Sequence, residues 1–246
     1  MKNTDDLIIR PHSTQNHNLF PNQINRPPTS IELIREVTVG EQPTSVCHYK
    51  GFTYVGHNLG SVHRVDQAGN VVPDFIKRGN RWISGIAAHR DQLYTLIHQP
   101  PAHCVSVHDL QGKQCHSWKI DDGTDYFFRV FAVINDSVII ANRPKKEILI
   151  HTLTGVFIRT VKCEQLSKSW VYFTQLGQNS LLISNGSIQP QFFKVNLENT
   201  TVEWQSEGGT IANPRGITAY CQDYSLVTTD EYSNRTQLWI INHITG

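Results

Sequence analysis

The chain has 246 residues, 39% of them hydrophobic and 17% charged, with a formal net charge of +1 and a pI of about 7.7. It is long enough to bury a sizeable core and too apolar to be a disordered chain. It is also too nearly neutral for the broad cationic surface of a dedicated nucleic-acid binder, and no run approaches the ~18 consecutive apolar residues that cross a membrane as a helix.

Met1–Ser30 is rich in Asn, Pro, His and Gln without a periodic apolar pattern. This predicts a flexible arm. It has no apolar h-region, so no secretory leader is expected. Ile31–Val39 (IELIREVTV) then reads as a lone strand. A first group of strands follows at Thr44–Tyr49, Phe52–Gly56, Gly60–Asp66 and Asn70–Ile76. A second group spans Gly85–His89, Gln92–Ile97, His103–Asp109 and Gln114–Ile120. A third spans Arg129–Ile134, Ser137–Ala141, Glu147–Leu153 and Val156–Cys163. A fourth spans Val171–Leu176, Ser180–Ser184, Gln191–Leu197 and Thr201–Gln205. The fifth has Gly216–Tyr220, Ser225–Thr229 and Thr236–Asn242. β-branched and aromatic residues fill these runs, while Gly, Asn, Asp or Pro separate them. No segment keeps a helical period over three turns.

The groups are copies of one unit. The segments GSVHRVD, HCVSVHD, EILIHTL, QFFKVNL and TQLWIIN start at residues 60, 103, 147, 191 and 236, spacings of 43, 44, 44 and 45. A turn follows each, at Gln67-Ala68-Gly69-Asn70, Gln111-Gly112, Thr154-Gly155, Glu198-Asn199 and Thr245-Gly246. A fixed period of this size in an all-β chain predicts a β-propeller with four strands per blade. The fifth unit lacks a fourth strand and Ile31–Val39 lacks partners, so the expectation is five blades, with the N-terminal strand completing the last. Such closure removes an exposed sheet edge. The alternative is a shortened six-bladed chain. Residues 31–246 are then one propeller domain, expected to be monomeric.

The five cysteines, Cys47, Cys104, Cys115, Cys163 and Cys221, are odd in number and scattered. They do not form a disulfide framework and point to a reducing, cytoplasmic setting. Asn-x-Ser/Thr patterns at Asn135, Asn185, Asn199 and Asn234 read as turn chemistry.

Several motifs resemble the NHL repeat. Asn213-Pro214-Arg215-Gly216-Ile217-Thr218 is similar to that repeat's Pro-x-Gly-Ile entry into the inner strand. Gln42-Pro43-Thr44-Ser45-Val46 and Ile83-Ser84-Gly85-Ile86 are fainter copies. Tyr54–Asn58 and Val65–Asn70 resemble the second and third strands with their Asp-x-x-Gly turn, and Asn234-Arg235 resembles the family's Asn-His-Arg. The likeness is to the propellers of TRIM-type ubiquitin ligases. It implies a recognition module that brings targets to a ligase. The ligase's own zinc chemistry is absent, because no C-x-x-C occurs.

No G-x-G-x-x-G, P-loop, G-x-S-x-G or H-E-x-x-H motif is present. No enzyme, metal or cofactor is therefore expected. Asp121, Asp122 and Asp125 read as a solvated acidic loop, and His98 and His103, flanking Pro100-Pro101, as solvent-exposed loop histidines.

The loops between blades and between second and third strands gather on one face of a propeller. Here they carry Arg81, Trp82, Tyr126, Phe128, Arg129, Arg143, Lys145, Trp170, Arg215, Tyr232 and Arg235. Trp, Tyr and Arg anchor protein interfaces, and cations with rings also suit single-stranded RNA. Three readings follow. The first is a non-catalytic scaffold for a protein partner. The second is a single-stranded RNA binder. The third is a small-molecule-binding propeller or hydrolase. Trp82 and Trp170 also suit plugs between blades, and Arg215 suits hydrogen bonding to loop carbonyls.

Overall fold

The structure is a computed structural model that describes residues 37–40, 42–98, 103–120, 131–166, 170–176, 179–186, 191–205, 214–219, 224–231 and 235–242. Its regular structure among these residues is entirely β. The chain divides into two compact units, with the boundary after Asp125.

The first unit holds two antiparallel sheets. Blade 1 is β1 (Pro43–Tyr49), β2 (Phe52–His57), β3 (Ser61–Val65) and β4 (Val71–Lys77). Blade 2 is β5 (Trp82–His89), β6 (Gln92–His98), β7 (His103–Asp109) and β8 (Gln114–Ile120). The second unit holds three sheets. Blade 3 is β9 (Phe131–Ile134), β10 (Ser137–Asn142), β11 (Glu147–Thr152) and β12 (Phe157–Lys162). Blade 4 is β13 (Trp170–Leu176), β14 (Ser180–Gly186), β15 (Gln191–Asn196) and β16 (Val202–Gln205). The last sheet has β17 (Pro214–Ala219), β18 (Tyr224–Glu231) and β19 (Arg235–Asn242). Every sheet pairs its strands in chain order.

Four blades are therefore complete and the fifth sheet is not. This corrects the expectation of five full blades closed by Ile31–Val39. Residues 31–36 lie outside the described residues, and 37–39 carry no strand. Val39 is instead buried with Val55 and Val65 of blade 1, with Val37 and Val71 packed against them. The apolar end of the segment is thus covered by the first blade. The last sheet has no fourth strand among the described residues.

Local chemistry repeats with the blades. The turn from third to fourth strand is capped by the side chain at one recurring position. Asp66 Oδ1 accepts from Asn70 N, Asp109 Oδ1 from Lys113 N, Thr152 Oγ1 from Val156 N and Asn196 Oδ1 from Glu198 N. Gly69, Gly112 and Gly155 supply the left-handed residue in the first three of these turns. Two-residue hairpins at Arg90-Asp91 and Asn135-Asp136 have both residues at positive φ, which matches the twist of the flanking strands.

Inner strands begin earlier than expected. β5 starts at Trp82 rather than Gly85, because a bulge between Ile83 and Gly85 lets the pairing continue. Matching bulges lie at Pro43/Ser45 and Pro214/Gly216. Thr44 Oγ1 donates to Gly56 O at 2.9 Å, and at the equivalent place Ser84 Oγ donates to Leu96 O at 3.3 Å. The hydroxyl ties the bulged residue to the second strand.

The second strands are buried on both faces, so alternation gives way to continuous buried runs such as Leu93–Ile97 and Val138–Ala141. In the first unit, Tyr54, Val62 and Ile76 of blade 1 pack with Ile83, Ile86 and Leu93 of blade 2. In the second, Ile139, Ile148 and Ile150 of blade 3 join Val171, Leu181, Ile183 and Phe193 of blade 4.

A polar chain also joins blades 1 and 2. Arg78 N donates to Gly60 O at 2.7 Å, and the Arg78 guanidinium donates to Ser106 Oγ. Ser106 Oγ lies 3.1 Å from His108 Nε2, and His108 Nδ1 lies 3.2 Å from Gly112 O. The carbonyl requires a proton on Nδ1, so Nε2 accepts from Ser106. Burial pulls the His108 pKa down to about 4, with the Gly112 carbonyl opposing and the Arg78 charge adding to it.

Two outcomes follow for stability. A Cβ at Gly60 (φ +83) would sit 1.9 Å from Gly79 O, whereas one at Gly79 (φ +66) meets nothing within 4 Å. Gly60→Ala should cost several kcal/mol (about 3) in denaturant unfolding and Gly79→Ala about 1 kcal/mol. The folded pKa of His108 lies below its unfolded value of about 6.5. Stability is therefore complete above that pH and falls between pH 6.5 and 4, by up to about 3 kcal/mol. His108→Gln should flatten that slope in pH-dependent melts.

Candidate functional site

In the first unit, the loops β2–β3 and β4–β5 lie side by side. The Arg78 N to Gly60 O bond joins them, and Gly60 packs directly under the backbone of Gly79 and Arg81. Arg81 N donates to Gly79 O at 2.8 Å and Asn58 N to Gln42 O at 3.3 Å, so both loops are held by main-chain bonds. From this frame Leu59 projects with 66% of its surface exposed. Arg81 is exposed as well. Trp82, the first residue of β5, is half-buried, and its ring meets His98 edge-on with centroids 5.8 Å apart.

The patch has a cationic neighbourhood. Burial lowers the Arg78 pKa, and the nearby Arg81 charge adds to that shift. Arg78, Arg81 and Lys119 all act on Cys104, where burial raises the thiol pKa and the three cations oppose it. Lys119 is exposed. Neither Arg81 nor Lys119 has an ion-pair partner among the described residues.

His98 and His103 are not the solvated loop residues expected. His103 is 1% exposed and His98 half-buried. Their rings lie 4.7 Å apart with Nδ1 atoms separated by 3.1 Å. Antiparallel pairing of Ile97 with Cys104 sets the two histidines opposite one another.

The remaining expected residues fall in the second unit or outside the described residues. Arg143 and Lys145 lie in the β10–β11 turn. Lys145 is exposed, but Arg143 is only 9% exposed. Burial lowers its pKa and Tyr172 nearby opposes that shift. Its position makes it part of the packed frame of the second unit. Asn142 and Asn185, at the ends of β10 and β14, are buried too, and Asn185 Nδ2 donates to Gln165 O at 2.6 Å. Trp170 opens β13 opposite Gly186, Arg215 sits at the β17 bulge, and Arg235 opens β19 opposite Glu231. Tyr126, Phe128, Arg129 and Tyr232 lie outside the described residues, as do Asp121, Asp122 and Asp125.

Among the described residues no group of three or more His, Cys, Asp or Glu side chains is placed to hold a metal ion. The four described cysteines are free thiols. No helix is long and apolar enough to cross a membrane.

No protein-family model and no curated protein matches the sequence. Solved structures do match its fold. A protein of unknown function from Bacteroides caccae aligns with a TM-score of 0.68 at 13% identity, over 86% of this chain and 82% of that one. The Dos1 propeller aligns with a TM-score of 0.57 at 14% identity, over 82% of this chain. This chain spans 58% of that propeller's length, less than two thirds. Virginiamycin B lyase from Staphylococcus aureus aligns with a TM-score of 0.58 at 10% identity, over 80% of this chain and 69% of the lyase. Identities this low speak to fold and not to function. The fold is an all-β propeller of four-stranded blades, with the last blade incomplete among the described residues.

Proposed function

We propose that this chain is a non-catalytic binding module that takes a protein partner on the paired β2–β3 and β4–β5 loops of the first unit. One observation carries this reading: a rigid main-chain frame holds an exposed aliphatic side chain, Leu59, beside an exposed arginine, Arg81, and a half-buried tryptophan, Trp82. Fixed loops lose little entropy on binding, which favours affinity. Arginine and tryptophan beside an apolar anchor are the usual energetic centre of a protein interface. The cations around Cys104 favour a partner segment that bears carboxylates next to an apolar residue. The NHL-like entry motif Asn213–Thr218 supports the same class of function through resemblance.

The RNA reading relied in part on Arg143, and its burial removes that cation from the outer surface. Arg143→Ala should lower stability by about 1–3 kcal/mol in denaturant unfolding without weakening partner binding, while Lys145→Ala leaves stability within about 0.5 kcal/mol.

Selection from a random peptide display library tests the proposal. Enriched peptides should pair acidic and apolar residues. The Leu59→Ser, Arg81→Glu double variant should bind them at least about tenfold more weakly, with unchanged melting because both side chains are exposed. Binding of a random single-stranded RNA pool that falls steeply with salt, in the absence of any selected peptide, would replace this reading with the RNA one.

A further inference from the structure

We propose that His98 and His103 form a two-histidine site for a divalent transition metal, Cu2+, Ni2+ or Zn2+, at the ends of β6 and β7. The site adjoins the peptide surface proposed above through Trp82, but ion binding does not depend on that reading.

The geometry is that of two ligands on one ion. Metal–imidazole bonds are about 2.0–2.1 Å long. Two such bonds place the nitrogens about 3.3–3.4 Å apart at a tetrahedral angle and about 2.8–3.0 Å apart at a right angle. The observed Nδ1···Nδ1 separation of 3.1 Å lies between these values. The two nitrogens lie within hydrogen-bonding distance, and an ion held by both takes the place of the proton between them once the rings turn so that both lone pairs meet to one side of the N···N line.

The surroundings hold the pair in place. His103 is buried and its backbone pairs with Ile120 of β8. His98 pairs through its backbone with Trp82 of β5, and the Trp82 ring lies edge-on against its imidazole. Strand alternation turns the next side chain, Cys104, with its cationic neighbours, to the other face of β7. His98 is half-buried rather than enclosed. No third histidine, cysteine or carboxylate joins the pair among the described residues. Two neutral imidazoles without a carboxylate select Cu2+, Ni2+ and Zn2+ over Mg2+ and Ca2+, with Cu2+ bound most tightly.

Trp82 is a built-in reporter, since a bound Cu2+ next to His98 quenches its fluorescence. The full chain, stripped with EDTA, is titrated with Cu2+, Ni2+ and Mg2+ while tryptophan emission and binding heat are followed. The expected result is one saturable equivalent for Cu2+, weaker binding of Ni2+ and no response to Mg2+. His98→Asn should raise the Cu2+ Kd at least about tenfold. Trp82→Phe should keep the binding heat and stoichiometry but lose the saturable quenching. The chain has 12 histidines, so the variants decide the matter. First-equivalent binding unchanged in His98→Asn, or quenching that persists in Trp82→Phe, places the ion elsewhere and overturns the proposal. If His98→Asn fails to fold, the Trp82→Phe titration alone makes the same decision.

Discussion

Everything in this molecule depends on sheets whose middle strands are buried on both faces. A strand such as β6 or β10 presents apolar side chains in both directions, so a single covering layer cannot satisfy it. Each blade needs a neighbour on each face. Within the first unit Tyr54, Val62 and Ile76 meet Ile83, Ile86 and Leu93. Within the second, blades 3 and 4 share one cluster built mainly of Ile, Leu, Val and Phe. Burying a side chain of this kind is worth about 1.5–3 kcal/mol, and each inter-blade seam buries several. The turns and loops act within limits that these seams set.

Side-by-side blades also explain why polar groups sit where they do. The chain from Arg78 through Ser106 and His108 to Gly112 runs along the seam of blades 1 and 2, with every step a donor meeting an acceptor. In the second unit Arg159 Nη1 crosses from blade 3 to the Glu198 carbonyl at 3.1 Å, and Asn135 meets Asn179 at 3.0 Å. Buried polar groups in such seams must be partnered, because an orphaned one costs about 1–3 kcal/mol. Arg143, at 9% exposed, is enclosed by the packed frame of the second unit. Loops fastened by main-chain bonds then present Leu59 and Arg81 outward at little entropic cost, and recognition can be built on that surface.

The histidine pair shows how one feature of strand pairing changes the chemistry of a loop. In the sequence, His98 and His103 flank two prolines and look solvated. Pairing of β6 with β7 brings them face to face, and the Trp82 ring covers one of them. Nothing in residue type or composition separates that arrangement from an exposed pair.

The sequence by itself determined the repeat, the four-strand unit and the turns. Those depend on short-range chemistry: the spacing of apolar runs, the Asp, Thr or Asn that caps each third-to-fourth turn, and the glycine at positive φ beside it. It also marked the entries to the inner strands, where Thr44 and Ser84 bond back to the second strand. Only tertiary structure decided which side chains face outward. Arg81 and Arg143 both lie in loops between strands, yet one is exposed and the other is enclosed by its neighbours. The destination of Val37–Val39 was likewise a tertiary matter: an apolar segment goes to whichever surface covers it best, and here Val55 and Val65 of blade 1 enclose Val39. Periodicity records which residues are apolar, whereas burial depends on partners far away in the chain.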